Sequence, residues 1–152
     1  MENQKSLKQK SNSKFTTYNE DKKENGFLIP IYNVNDSFCE KDKQPQQTYL
    51  TVVRPGEIKG PHLHFIRTGY FTCIKGNVRI VVKVKGNYET YYSGEDYNYS
   101  SIIIPTGIPA AMQNTGKEDA FLLNMPSPAW TPEMNDEHSA DFSDFDFNTI
   151  LK

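Results

Sequence analysis

The chain is punctuated into short runs of β-branched and aromatic residues, and this pattern limits its fold more than any other feature. Tyr49–Val53, Tyr70–Ile74, Val78–Val84, Tyr88–Tyr92, Ser101–Ile104 and Ala120–Leu123 are such runs, and Phe27-Leu28-Ile29 opens the series. Most are bounded by Gly, Pro or Asn, the residues that turn a chain. Lys75-Gly76-Asn77 and Lys85-Gly86-Asn87 read as glycine turns joining consecutive strands. Val78 to Val84 alternates in part, with Arg79 and Lys83 on one face. No window of a dozen residues carries a period of 3.6. Short strands at a spacing of about ten residues predict an all-β barrel or sandwich.

A length of 152 residues suits one domain with a core of its own. Residues 1–25 are rich in Lys, Asn, Ser and Glu and almost free of aliphatic side chains, so they are expected to form a mobile tail ahead of a domain over 26–152. Lys5, Lys8, Lys10 and Lys14 read as solubilising charge rather than as a binding arm. From Trp130 onward the chain is acidic but studded with Phe142, Phe145 and Phe147, a pattern expected to pack back on the barrel or on a second subunit.

A formal charge of −2 lacks the basic bias of a nucleic-acid binder. No run approaches the roughly 20 apolar residues of a membrane helix, and the N-terminus lacks the apolar core of a secretory signal. Cys39 and Cys73 are too few and too unpatterned for a disulfide framework, which points to a reducing cytoplasm.

Two of the three histidines lie in Pro55-Gly56-Glu57-Ile58-Lys59-Gly60-Pro61-His62-Leu63-His64. Positions two apart on a strand share a face, so His62 and His64 can share one cavity. Such a pair ligates a metal, acts as base and partner, or fills a polar pocket. Its flanks resemble the first motif of the cupin superfamily: a glycine, five residues, His-x-His, then Gly76. Pro105-Thr106-Gly107, with Asn114 seven residues on, resembles the second. The resemblance runs from about Gly26 to Asp146 and implies a small single-domain jelly-roll β-barrel. Metal-binding cupins place a glutamate shortly after His-x-His and a histidine after Pro-x-Gly. Those places here hold Thr68-Gly69 and Ala110, so the resemblance implies no metal and no other cofactor.

The chain is similar to the metal-free cupins that act on nucleotide-linked 4-keto-6-deoxy sugars. These are the dTDP-4-dehydrorhamnose 3,5-epimerases and the sugar 3,4-ketoisomerases. Lys59-Gly60-Pro61-His62 fits the epimerase pattern, with lysine in place of arginine. Gly60 to His64 matches the Gly-x-His-x-His of the ketoisomerases. Asn25-Gly26-Phe27 resembles the turn that opens the epimerase domain, and Asn135-Asp136-Glu137 a short acidic segment near its end.

Both reactions begin by removing a proton beside a ketone, which needs a base near neutrality, a donor for the enolate oxygen and an acid. The resemblance assigns the base to His62, with His64 as its partner or as a proton shuttle. Tyr49 and Tyr70 are the candidate hydroxyl acids. Arg54, Lys59 and Arg67 are candidates for a substrate pyrophosphate, Asn114 for a further polar contact, and Trp130 either stacks on a base or serves as a packing lid. The tyrosine of the 3,5-epimerases falls in Phe121-Leu122-Leu123, which has no hydroxyl, and their lysine falls near Gly69, leaving Arg67 as the nearest cation. Three outcomes therefore stay open: a single epimerisation, a ketoisomerisation, or a lost activity. The expected function is an epimerase or isomerase of nucleotide-linked deoxy-ketosugars in bacterial surface-polysaccharide synthesis, as a homodimer. A cupin that binds a sugar or nucleotide-sugar without catalysis is the alternative from another class, and a metal-dependent cupin the third.

Overall fold

The computed structural model describes residues 5–149. Their strands are β1 (Gln9–Lys10), β2 (Phe15–Tyr18), β3 (Glu24–Leu28), β4 (Tyr49–Val53), β5 (Ile58–His64), β6 (Gly69–Lys75), β7 (Asn77–Val84), β8 (Asn87–Gly94), β9 (Ser101–Ile104), β10 (Ala110–Asn114), β11 (Ala120–Asn124) and β12 (Glu137–Ser139). Two antiparallel five-stranded sheets face each other, one in the order β1-β9-β6-β11-β4 and the other β12-β5-β10-β7-β8; β2 and β3 form a separate hairpin. This is the jelly roll that the strand spacing and the cupin motifs predict. Lys85 and Gly86 both take positive φ, 51° and 80°, the geometry that lets a two-residue turn follow the twist of β7 and β8.

Alternation on β7 sorts the core. Val78, Ile80 and Val82 are fully buried between the sheets, where they meet Tyr91, Ile102, Leu122 and Val53. Each such aliphatic side chain contributes roughly 1.5–3 kcal/mol through removal from water. Val81, on the outer face, is also fully buried, because Phe142, Phe145 and Phe147 of the C-terminal segment cover it. Of the two expected placements of that segment, the structure shows packing on the chain's own barrel. Arg79 fastens it: its guanidinium donates to Gln113 Oε1 at 2.6 and 3.0 Å, to the Phe147 carbonyl at 2.9 Å and to the Thr149 carbonyl at 2.6 Å.

A mobile tail is expected over residues 1–25; residues 1–4 lie outside the described residues, and the stretch from Leu7 to Asn12 is seated on the barrel. Leu7 is buried in the inter-sheet core, its amide donates to Tyr91 Oη at 2.9 Å, and Gln9–Lys10 pairs with Ile102 and Ser101 of β9. Asn12 is buried too, its Nδ2 donating to the Tyr99 carbonyl at 2.6 Å and to Ser101 Oγ at 2.8 Å. Composition misses this because docking uses backbone groups. The β9 edge offers unpaired carbonyls and amides to any passing chain, and one leucine anchors it.

The chain leaving β11 returns to the barrel mouth at Asp136 and enters β12, which pairs with the outer side of β5 at Glu137↔His64 and Ser139↔His62. The Asp136 side chain is 1% exposed and takes Arg67 Nε at 2.7 Å and the Ile66 amide at 2.5 Å. Burial by itself would raise this carboxyl. The Arg67 and Ile66 hydrogen bonds outweigh it and hold the group below its ordinary value of 3.8. Its stabilisation is therefore complete above that value and is lost as pH falls through the depressed one. Asp136→Ala strands the half-buried Arg67 cation and is expected to cost about 3–5 kcal/mol at pH 7 in urea denaturation. The gap to the parent protein should narrow below pH about 4, and a neutral-pH loss under about 1 kcal/mol would contradict this role.

Candidate active site

A cavity of about 300 Å³ opens between the sheets. The first sheet lines it with Tyr49, Thr51, Phe71, Leu122 and Asn124; the second adds Lys59, His62, His64, Ala110, Met112 and Glu137. Arg67 and Pro105 lie at its rim loops.

Lys59 and His62 are three residues apart, so a regular strand would send them to opposite faces. The β5–β10 ladder is irregular at this point: Ala110 pairs with His62 and Met112 with Lys59, so three steps on β5 meet two on β10. The extra residue returns Lys59 to the face that carries His62 and His64. Gly60, at φ 92°, makes the bulge feasible, since a Cβ there would lie 2.8 Å from the Ala110 carbonyl oxygen and 2.9 Å from the His62 amide.

Glu137 sits opposite His64 on β12 and reaches diagonally to His62, whose Nδ1 is 2.7 Å from its carboxylate. The carboxylate can only accept, so in a neutral His62 this contact favours the tautomer with the proton on Nδ1 and the lone pair on Nε2. His62 is 45% exposed at the side chain. His64 is half-buried. Burial first, and the nearby Arg67 cation second, push its pKa below that of an ordinary histidine, against the opposing pull of Asp136 and Glu137.

On the opposite sheet, Asn124 Nδ2 lies 2.6 Å from Tyr49 Oη. Asn124 Oδ1 accepts the Tyr70 amide at 3.2 Å. Among the described residues no three His, Cys, Asp or Glu side chains are grouped so that they could hold a metal ion.

Of the residues singled out in the sequence, Tyr49, Lys59, His62, His64 and Arg67 come together around the cavity. Four do not. Tyr70 follows Gly69 and precedes Phe71, which both line the cavity, so alternation turns it to the outer face. There it is 3% exposed, its hydroxyl donates to the Ile31 carbonyl at 2.6 Å, and its ring meets Phe38 edge-on. Arg54 lies past the far end of β4 from Tyr49, in an exposed ion pair with Asp119. Asn114 is a turn-binding residue, with Nδ2 on the Val53 carbonyl at 2.8 Å and the Glu118 carbonyl at 2.7 Å. Trp130 is half-exposed outside the cavity, where its amide donates to Gln47 Oε1 at 2.9 Å.

Asn124 and the partnership of Glu137 with His62 escaped the sequence reading. For Glu137 the only signal is the acidic Asn135-Asp136-Glu137 segment. For Asn124 it is a polar residue at the end of an apolar run, two positions on from an inward-facing leucine.

A family model described as the polysaccharide biosynthesis C-terminal domain matches residues 35–142. The spore coat polysaccharide biosynthesis protein SpsL of Bacillus subtilis (strain 168) is 28% identical over 109 residues, covering 64% of this chain and 72% of SpsL. Among solved structures, the dTDP sugar isomerase of Desulfovibrio desulfuricans G20 superposes with a TM-score of 0.76 at 16% identity, over 89% of this chain and 83% of that one. ChmJ, a 3'-monoepimerase from Streptomyces bikiniensis in complex with dTDP-quinovose, gives 0.71 at 18% identity, over 91% and 71%. The capsular polysaccharide assembling protein CapF of Staphylococcus aureus gives 0.58 at 21% identity over 63% of this chain, which spans 28% of CapF. At these identities the likeness is one of fold, the cupin jelly roll. The family match takes in β4 to β12 and every strand that lines the cavity, and the chain belongs to the polysaccharide biosynthesis C-terminal domain family.

Proposed function

We propose that this protein is an epimerase or isomerase that abstracts a proton beside the ketone of a nucleotide-linked 4-keto-6-deoxy sugar, in the synthesis of a bacterial surface polysaccharide. The observation that carries the reading is the 2.7 Å contact of His62 Nδ1 with Glu137 on the cavity wall. It leaves Nε2 free to take a proton and steadies the imidazolium that forms. His64, neutral over a wider pH range than an ordinary histidine, adds no positive charge beside that base. Lys59 and Arg67 bring cations to the cavity, suited to a developing enolate oxygen and to the pyrophosphate. At about 300 Å³ the cavity suits a sugar ring, with the nucleotide extending from the mouth. The named activities of the dTDP sugar isomerase and of ChmJ fall in the same class.

The reaction is proposed to run without a metal, because Gly69 and Ala110 line the cavity where metal-binding cupins carry a glutamate and a histidine. A non-catalytic sugar-binding reading draws support from Leu122, an inward-facing side chain with no hydroxyl where the epimerases carry tyrosine. Incubation with nucleotide-linked 4-keto-6-deoxy sugars in deuterated water, followed by proton NMR, separates the two. Deuterium should enter carbon next to the ketone, persist after dialysis against a chelator, and slow by about 10²–10⁴-fold in His62→Ala. Tight binding without exchange, or exchange indifferent to His62→Ala, would overturn the catalytic reading.

A cytoplasmic location is proposed on the free thiols of Cys39 and Cys73; none of the described helices is long and apolar enough to cross a membrane. Recovery of the chain from an oxidising compartment would contradict it. A homodimer is proposed on the β2–β3 hairpin. It stands apart from both sheets and leaves Phe15, Tyr18, Phe27 and Leu28 at least 50% exposed. An isolated two-stranded hairpin is marginal in water, and a second copy would cover it. Light scattering at micromolar concentration should give twice the chain mass; the monomer mass would overturn it.

A further inference from the structure

We infer that Tyr49 is the acid that returns a proton to the substrate, that Asn124 is the positioning residue aiming its hydroxyl, and that the product is therefore inverted at the carbon that loses its proton. This rests on the proton-abstraction reading above and goes beyond it by naming the acid and the stereochemical outcome.

The orientation follows from one backbone group. The Tyr70 amide can only donate, so the atom of Asn124 facing it at 3.2 Å must be Oδ1. That fixes Nδ2 toward Tyr49, 2.6 Å from its oxygen, and Nδ2 can only donate in turn. Tyr49 Oη is thus an acceptor on its Asn124 side, and its own O–H must point elsewhere. The tyrosine lines the cavity, and the carboxamide behind it is 4% exposed and cannot turn without orphaning the Tyr70 amide. The arrangement aims a phenol proton at whatever occupies the cavity. Thr51, the other hydroxyl on this wall, is an aliphatic alcohol and a far weaker acid than a phenol. Leu122, paired with Thr51 on the neighbouring strand, has no proton to give.

Tyr49 stands on β4 of the first sheet and His62 on β5 of the second, so a flat enolate between the sheets meets the base on one face and the phenol on the other. The substrate C–H bond breaks toward His62 Nε2, and its electron pair moves onto the ketone oxygen as an enolate. The enolate then collapses as carbon takes the Tyr49 proton from the opposite face. The phenolate, still hydrogen-bonded by Asn124, regains a proton from water, and the imidazolium gives one up. No oxidant or reductant enters, and the net change is inversion at that carbon. A 3,4-ketoisomerase, which moves a proton between neighbouring carbons, would need no donor on the far sheet.

The test measures exchange and inversion separately, in deuterated water, for the full chain and three variants. The parent protein should exchange and yield the epimer without moving the ketone. Tyr49→Phe should still exchange, since His62 alone can remove a proton and return a deuteron to the same face, but should lose inversion by about 10²–10⁴-fold. Asn124→Asp, similar in shape, should lose inversion selectively as well, because its carboxylate accepts the Tyr49 proton and turns it from the cavity. Asn124→Gln should recover part of the inversion. Equal loss of exchange and inversion in Tyr49→Phe, unchanged inversion in either first variant, or a migrated ketone in the parent would overturn the inference while leaving proton abstraction standing. A parent protein with no exchange would instead overturn both.

Discussion

One extra residue in β5 sets the geometry on which the site depends. Across the Gly60–Pro61 step β5 advances three residues while β10 advances two, and only this slip puts Lys59 on the face that carries His62 and His64. A glycine is required there because the Ala110 carbonyl oxygen and the His62 amide would each lie within 3 Å of any Cβ. The bulge is a backbone device with a chemical result: it gathers a cation and two imidazoles on one wall of a narrow barrel. An unbroken ladder would have turned Lys59 out to solvent.

The second dependence is on chain that arrives late. β12 contributes three residues, yet it brings Glu137 to His62, and the buried Asp136–Arg67 pair next to it secures the loop above the cavity. The same final stretch covers the outer face of the second sheet with Phe142, Phe145 and Phe147, held by Arg79. Stability and electrostatics are thus coupled. The segment that carries Glu137 to His62 also buries apolar surface on the barrel, and loosening it would disturb both.

The fold was legible because strand length, turn glycines and two short motifs all pointed the same way, and local patterns of that kind survive in sequence. The histidine pair was legible for the same reason, since two positions on one strand need only alternation to meet. Partners from distant strands were not. Tyr70 lies close to the motif in sequence, but alternation against Gly69 and Phe71 sends it through the sheet to the far side. Asn124 and Glu137 sit 75 positions from the residues they touch, Tyr49 and His62, and nothing local in either stretch announces the contact. The docking of Leu7 to Asn12 was not legible for a different reason: it runs through backbone hydrogen bonds, to which composition is blind.

The proposed chemistry requires a bare His62 Nε2 at the cavity, with Glu137 holding the proton on Nδ1. Long-range proton–nitrogen correlation NMR on the full chain, recorded above neutral pH, reads that tautomer directly. A proton on Nδ1 that shifts toward Nε2 in Glu137→Ala is the expected result. A His62 protonated on Nε2 in the parent protein, or a tautomer indifferent to Glu137→Ala, would contradict it.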